Sequence, residues 1–193
     1  KNVNTDSKNS LLYKNTLNNE IAAIGEFNTA YPLKKETEMH TSILKPLISL
    51  RYSPNDSKNL RGDERRIDSS NIYSLNRIGS NTSVEGGLSI TYGTEFVRFD
   101  NNDNEIFGAN IANVIKNEAD DQISRSSSLG NKTSDIIGGL RLNLNDNIKI
   151  KYDFSQDSNL KDTNFQIIES EFKVNNFVTS FEYLNENNTI KQQ

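Results

Sequence analysis

The sequence predicts an all-β protein, an antiparallel up-and-down transmembrane β-barrel of which this chain supplies about eight strands. Apolar residues alternate with polar ones in run after run, which is the pattern of strands with two different faces. The connections alternate between short and long, and only 33% of the residues are apolar. A barrel wall explains that low fraction, because only its lipid side must be apolar while a wide lumen stays polar.

Residues 139–154 are the clearest predicted hairpin, with a turn at 145–147. One face carries the apolar side chains of Leu140, Leu142, Leu144, Ile148, Ile150, Tyr152 and Phe154. The other face carries Arg141, Asn143, Lys149, Lys151 and Asp153. The hairpin therefore has one apolar face and one charged face.

The same alternation predicts further strands in 21–31, 44–52, 88–96 and, around a turn at 175–176, in 165–186. Residues 105–116 also fit a helical stripe, so the strand predicted there has a helix as its alternative.

Pro46 lies inside a predicted strand. Proline has no N–H for the ladder, so this position is expected to be an edge, a bulge or a weak seam.

The spacing of the strands separates two kinds of connection. Short links are predicted at 32–38, 100–104, 145–147 and 175–176, and longer ones at 54–82, 117–133 and 156–163. In a meander, alternate connections lie at the same end, so one end carries turns and the other carries loops, as in outer-membrane barrels. We therefore interpret 1–193 as a single barrel region whose long loops are 54–82 and 117–133. A soluble β-sandwich stays as an alternative.

Composition limits the possible functions. A net charge of −4 gives no basic field to collect nucleic acid, so no nucleic-acid partner is predicted. The absence of cysteine removes thiolate metal sites, thiol nucleophiles and disulfides. No apolar run reaches the roughly 18 residues of a transmembrane helix. The opening KNVNTDSKNS is not an export signal, so a signal would lie upstream.

No catalytic, cofactor or metal site is predicted. His40 is the one histidine and no GxSxG motif accompanies it. The stretch DNNDNE at 100–105 is similar to the start of a calcium loop, but Glu105 stands where glycine is required and Ile111 where the bidentate Glu belongs. A hairpin turn is the favoured interpretation.

Two groups of basic residues are candidates for binding. Residues 61–66, RGDERR, are consistent with a patch for a phosphorylated ligand or with a charge-balanced loop. A second group is predicted to line a lumen, offset by Glu169, Glu171 and Glu182, and consists of Lys45, Arg51, Arg141, Lys149 and Lys151. That group is either a plain solvated face or a pore wall for an amphipathic, phosphate-bearing substrate.

Three blocks carry a resemblance to a known family. Residues 44–54 (LKPLISLRYSP), 71–79 (NIYSLNRIG) and 84–93 (VEGGLSITYG) resemble, in this order, the LptD family of LPS-assembly proteins of Gram-negative outer membranes. The matching positions are Pro46, Asn71, Tyr73, Asn76, Arg77, Gly79, Glu85, Gly86, Gly87, Tyr92 and Gly93. Ser89 stands where the family often has arginine or a similar polar residue, and the chain departs at Ile78 and Gly79, which replace the usual aromatic–small–Gly step.

The resemblance implies that this chain is an internal fragment of a large outer-membrane barrel. Such a barrel receives lipopolysaccharide from an LptA-like periplasmic bridge and works with an LptE-like lipoprotein plug. The barrel is surrounded by outer-membrane lipid and releases the lipopolysaccharide laterally into the outer leaflet. No lateral-gate residue is carried over. The alternatives are another outer-membrane barrel, such as a porin or receptor fragment, and a soluble β-sandwich interaction module.

Overall fold

The computed structural model describes residues 2–4, 18–20, 22–57, 61, 66–79, 84–124 and 126–187. The strands are β1 (Asn2–Asn4), β2 (Asn18–Glu20), β3 (Gly25–Ala30), β4 (Leu33–Glu36), β5 (Thr41–Ser53), β6 (Gly87–Phe99), β7 (Glu105–Lys116), β8 (Ile136–Asn145), β9 (Ile148–Gln156), β10 (Thr163–Val174) and β11 (Phe177–Glu186). Helix in this part of the chain is limited to one short 3-10 turn, Ser128–Gly130, and no described helix could cross a membrane.

Nine of the strands form one antiparallel sheet, in the order β11, β10, β9, β8, β7, β6, β5, β3, with β4 also paired to β5. Strands β3 and β4 share one edge of β5, so the sheet is eight positions wide. Strands β1 and β2 form a separate pair. The predicted all-β, antiparallel meander is confirmed, while the described strands do not close on themselves.

Most of the predicted short links separate strands as expected. Residues 100–104, 145–147 and 175–176 lie at the turns between β6 and β7, β8 and β9, and β10 and β11. Residues 105–116 are strand β7, which settles the choice between strand and helix.

The predicted link at 32–38 is wrong, because residues 33–36 are strand β4 and pair with the start of β5. The chain reverses at 37–40 instead, where the Thr37 N–H donates to the His40 carbonyl at 2.9 Å. The Thr37 hydroxyl also accepts from the His40 N–H at 3.2 Å. This tight turn returns LKKE beside β5 although the segment has little apolar alternation.

Pro46 lies in the interior of the sheet, beside a break in the neighbouring strand. It is opposite Thr94 of β6. On its other side, β3 ends at Ala30 and β4 begins only at Leu33. Pro46 has no N–H to donate to this neighbour, so one hydrogen bond of the ladder is missing there, while the Tyr31 N–H donates to the Pro46 carbonyl at 3.1 Å.

The two faces of the sheet differ sharply in polarity, since residues paired across strands share a face. We call one the apolar face; its exposed side chains include Phe27, Leu44, Ile48, Leu50, Tyr52, Leu88, Ile90, Tyr92, Ile111, Ile115, Leu140, Ile168, Phe172, Phe177, Phe181 and Tyr183. We call the other the polar face; it includes Ser49, Arg51, Ser89, Thr91, Glu95, Lys116, Arg141, Asn143, Lys149, Lys151, Asp153, Glu169 and Glu171.

The buried apolar core lies on the polar face, beneath the loops between strands. Described segments of the β5–β6 and β7–β8 connections pack there. Their core residues, together with three from the sheet, are Ile67, Ile72, Ile78, Ala112, Val114, Ile123, Leu129 and Ile137. Of the predicted loop 54–82, residues 58–60, 62–65 and 80–82 lie outside the described residues. We call the half of the sheet near these loops the loop end, and the half near 37–40, 100–104, 145–147 and 175–176 the turn end.

Candidate functional site

Glu85 is the centre of a buried charge cluster at the loop end of the polar face. It precedes β6 and is fully buried, with 0% of its surface exposed. Arg77 forms a bidentate ion pair with its carboxylate: Nε donates to Oε2 at 3.0 Å and Nη2 donates to Oε1 at 2.8 Å. Bidentate pairing of this kind is among the stronger hydrogen-bonded arrangements in proteins.

Arg77 also ties its own segment, residues 66–79, to the sheet. Its Nη1 donates to the Thr91 hydroxyl at 2.8 Å, and its Nη2 donates to the Ser89 hydroxyl at 2.8 Å. Both hydroxyls stand on β6, on the polar face. The segment is therefore held to the wall by hydrogen bonds to one carboxylate and two hydroxyl groups.

Two further cations approach Glu85 from neighbouring strands. Arg51 of β5 has its Nη1 3.2 Å from Glu85 Oε2, and its Nε donates to the Leu75 carbonyl at 3.1 Å. Lys116, at the end of β7, has its Nζ 3.5 Å from Glu85 Oε1 and 3.8 Å from Asp120 Oδ2. Three buried cations thus surround one buried carboxylate. Neither Arg51 Nη1 nor Lys116 Nζ has a hydrogen-bond partner among the described residues.

Gly86 lets the chain carrying Glu85 run close to the loop that follows β5. A Cβ at Gly86 would lie 2.3 Å from the Asn55 carbonyl oxygen, so a side chain there would force the two backbones apart. The Gly86 N–H donates to the Ser57 hydroxyl at 2.9 Å. This close approach sets the position of the neighbouring Glu85.

Tyr73 occupies a second contact between segment 66–79 and the sheet. A Cβ at Gly93 of β6 would lie 2.4 Å from the Tyr73 hydroxyl, so glycine leaves the space that the phenol fills. Burial, with a smaller contribution from Glu95, raises the pKa of Tyr73 to about 12. The hydroxyl has no hydrogen-bond partner among the described residues.

The turn end of the polar face carries a chain of ion pairs. Lys45 Nζ lies 2.6 Å from Glu95 Oε2. Arg141 Nη2 lies 3.8 Å from Glu95 Oε1, and its Nε donates to Glu105 Oε1 at 2.9 Å. The chain therefore links strands β5 to β8 by alternating charge.

The neighbouring strands β9 and β10 carry further ion pairs, which are more exposed. Lys151 Nζ is 2.9 Å from Glu169 Oε2 and 2.8 Å from Asp153 Oδ2. Lys149 Nζ is 4.0 Å from Glu171 Oε1, and its side chain is 57% exposed. Lys149, Lys151, Glu169 and Glu171 line a groove of about 430 Å³ across β8–β11. Its walls are charged, wet and electrically balanced.

Several of the residues that match the family blocks are in contact in the structure, and the others are not. Arg77 and Gly86 meet at the Glu85 cluster, with Gly87 adjacent, and Tyr73 meets Gly93. The others lie apart from these contacts. Asn71 closes its own turn, accepting from the Asp68 N–H and donating to the Arg66 carbonyl. Asn76 is exposed, Gly79 has φ 60°, Tyr92 lies on the apolar face, and Pro46 lies beside the gap between β3 and β4.

The five basic residues predicted to line a lumen divide into two groups. Arg51 is 2% exposed beneath segment 66–79 and belongs to the Glu85 cluster. The others stand in the ion pairs of the turn end and are Lys45, Arg141, Lys149 and Lys151.

Sequence reasoning missed Lys116 and the hydroxyl partners of Arg77. The signal for Ser89 and Thr91 was present, because both have the polar parity of β6. Lys116 could be assigned only from the β6–β7 register, which pairs it with Ser89.

The remaining candidates have structural roles within the described residues. In the 61–66 cluster, Arg61 pairs with Asp121, while Arg66 pairs with Glu186 and lies over the Phe165 ring; residues 62–65 are outside the described part. The calcium-like stretch closes its own turn, since Asp100 accepts from the Asn102 and Asn104 N–H groups.

The family model for LptD, described as LPS transport system D, matches residues 1–193. A search of curated proteins finds no match.

Proposed function

Because the chain belongs to the LptD family, we propose that its sheet is part of the wall of an outer-membrane barrel that inserts lipopolysaccharide into the outer leaflet. The family takes part in lipopolysaccharide transport and assembly at the outer membrane of Gram-negative bacteria. The barrel, the insertion step and the position of this chain within it are our proposal.

The observation that carries the proposal is the inverted polarity of the sheet. The largest fully buried side chains include Arg51, Arg77 and Glu85. Large apolar side chains are exposed instead, with Ile48 at 53% and Phe181 at 61%. A sheet folded in water buries its apolar face and exposes its charges. Membrane lipid is the surrounding that makes the observed arrangement favourable.

The backbone gives independent support. In hydrocarbon, an unpaired N–H or C=O costs several kcal/mol, so a spanning sheet must have its edges paired. Among the described strands, the β3–β4 edge and β11 each have one free side. We propose that further strands of a larger barrel pair with both edges.

The polar face supplies the route. Lipopolysaccharide is amphipathic and carries sugars and phosphates, which need hydrogen-bonding and ionic partners that can exchange. We propose that Lys45, Arg141, Lys149 and Lys151 line this route, since each is already in a partly exposed ion pair. Such pairs hold little energy and exchange readily.

The loop end supplies rigidity. Arg51, Arg77 and Lys116 converge on Glu85 and fix segment 66–79 across the polar face. We propose that this tie shapes the outer mouth of the lumen. A wall with these duties needs no catalytic residue and no cofactor. An LptE-like plug and an LptA-like bridge are the partners that the family implies.

Photo-crosslinking from neighbouring residues of β11 tests the proposal. The register pairs Ser180 with Glu171 on the polar face and Phe181 with Ser170 on the apolar face, so photoreactive amino acids at these two positions report on opposite faces. During lipopolysaccharide export in cells, Ser180 is expected to form lipopolysaccharide adducts and Phe181 phospholipid adducts. The matched control is a strain depleted of lipopolysaccharide synthesis, in which the Ser180 adduct disappears.

Failure of Ser180 and a second polar-face position, Asn143, to form any lipopolysaccharide adduct in the assembled protein would contradict the proposal. Solute flux unaffected by lipopolysaccharide depletion would favour a porin instead.

A further inference from the structure

The apolar face has almost no charge, and the two exceptions lie together. Among the described residues of β3–β11, the charged side chains on this face are Lys35 of β4 and Arg98 of β6. Both are cations, and the described part of this face carries no carboxylate. The register aligns Lys35 with Ser42 of β5 and Ser42 with Arg98, so the two cations lie in a single row at the turn end, with one strand between them.

Arg98 is held in place without a counter-charge. Its Nε donates to the Ser42 hydroxyl at 3.2 Å, and its guanidinium carbon lies 5.7 Å from the centre of the Phe96 ring. Phe96 in turn packs against Phe107, with ring centres 5.9 Å apart. No carboxylate within the described residues forms an ion pair with Arg98 or Lys35.

Three acidic residues at the turn end are engaged elsewhere. Glu36 pairs with Lys34 on the polar face. Asp100 accepts hydrogen bonds from its own turn, and those from Asn104 hold its pKa below the usual value. Glu105 accepts from Arg141, also on the polar face. The two cations therefore present uncompensated positive charge at the margin of an apolar surface.

We propose that Lys35 and Arg98 form a binding site for the phosphate headgroup of an anionic membrane phospholipid. The inference rests on the proposed function, because it requires the apolar face to meet lipid. Basic side chains at the edge of a spanning surface reach toward the headgroup region, where anionic lipid attracts them.

The next row of the sheet favours a phospholipid over a free phosphate. Leu33, Leu44 and Phe96 are aligned across β4, β5 and β6, one step from the cations toward the loop end. Leu33 and Leu44 are exposed. A lipid can place its phosphate at the cations and its acyl chains along this row, whereas a free phosphate gains nothing from it. In a barrel with short periplasmic turns, the turn end faces the periplasmic leaflet.

Lipid selectivity of the reconstituted protein tests the site. Electron paramagnetic resonance of spin-labelled phosphatidylglycerol and phosphatidylcholine gives the relative association of each lipid with the protein. The unaltered protein is expected to prefer phosphatidylglycerol. The Lys35→Gln and Arg98→Gln variants should each lower that preference about fivefold. The matched control, Lys34→Gln, removes one positive charge from the polar side of the same strand as Lys35 and should leave the preference unchanged.

Two further arms identify the source of any failure. A tryptophan at Leu140, in a chain with none of its own, should be quenched by brominated acyl chains if the apolar face meets lipid. Quenching with unchanged selectivity in the double variant K35Q/R98Q overturns the site alone. Loss of quenching overturns both the proposed function and the site. Inorganic phosphate at millimolar concentration should not reduce the preference; if it abolishes it, the site binds free phosphate and the proposal is wrong.

Discussion

The two ends of the polar face use the same kinds of residue under opposite conditions. At the loop end, Glu85 and its three cations are sealed beneath segment 66–79. At the turn end, Lys149 and Glu171 are paired but half exposed. The two ends therefore differ in burial and not in residue type: the ion pairs of the loop end are buried, and those of the turn end are exposed to solvent.

The difference follows from how solvent treats an ion pair. A buried pair is costly to form, and removing one partner leaves an uncompensated charge in the interior. An exposed pair is screened by water and contributes little. The same substitution should thus have very different effects at the two ends.

Removing the central carboxylate gives the largest expected effect. Glu85→Gln leaves Arg51, Arg77 and Lys116 buried without their shared counter-charge, and should lower the free energy of unfolding by about 3–5 kcal/mol. Urea unfolding of the protein in lipid vesicles measures it. The matched control, Glu171→Gln at the turn end, should cost at most about 1 kcal/mol. Equal losses in the two variants would erase the distinction between the ends.

Charge on the opposite face comes next in size. Leu140 lies midway along β8 on the apolar face, and Leu140→Arg should cost about 2–4 kcal/mol near the membrane midplane. Asn143→Arg places the same side chain on the wet turn end of the polar face, where the effect should be much smaller. Folding yield into vesicles and urea unfolding report both. If the two positions tolerate arginine equally, the faces are assigned wrongly.

A smaller effect is expected where the loop end meets the middle of the sheet. Gly93→Ala places a methyl group 2.4 Å from the Tyr73 hydroxyl and 2.2 Å from the Ile111 carbonyl oxygen. Overpacking of this kind costs about 1–3 kcal/mol. Gly25→Ala is the control, because a Cβ there meets nothing within 4 Å. The unfolding midpoint of Gly93→Ala should be lower than that of Gly25→Ala. Identical midpoints would contradict the close packing of Tyr73 against Gly93.

The smallest effect is expected from alkaline pH, which should weaken the contact between Tyr73 and the sheet at Gly93. The pKa of Tyr73 is raised from 10.0 to about 12, so the folded protein holds this proton more tightly than the unfolded chain. The stabilisation is complete below pH 10 and is lost as the pH rises toward 12. The free energy of unfolding, measured from pH 10 to pH 12, should fall more steeply with pH for the unaltered protein than for the Tyr73→Phe variant. Parallel curves would show that Tyr73 is not buried as described.

Much of the sheet could be predicted because local alternation records which side of a strand is apolar and which is polar. Leu140 and Arg141 were assigned to opposite faces from their parity, and the register agrees. Strand β4 could not be found this way, since LKKE becomes a strand through the turn at Thr37 and its pairing with β5. The Glu85 cluster was also out of reach, because Arg51, Arg77 and Lys116 come from three separate parts of the chain and meet only once the register is fixed.

Paramagnetic accessibility along β9 is the most direct test of the central claim that one face of this sheet meets lipid. The chain contains no cysteine, so single cysteines at positions 149–152 each carry one nitroxide within it. In membranes, collisions with oxygen should peak at Ile150 and Tyr152, and collisions with a water-soluble nickel chelate at Lys149 and Lys151. Two profiles that rise and fall together, or full nickel access at Ile150 and Tyr152, would contradict the account.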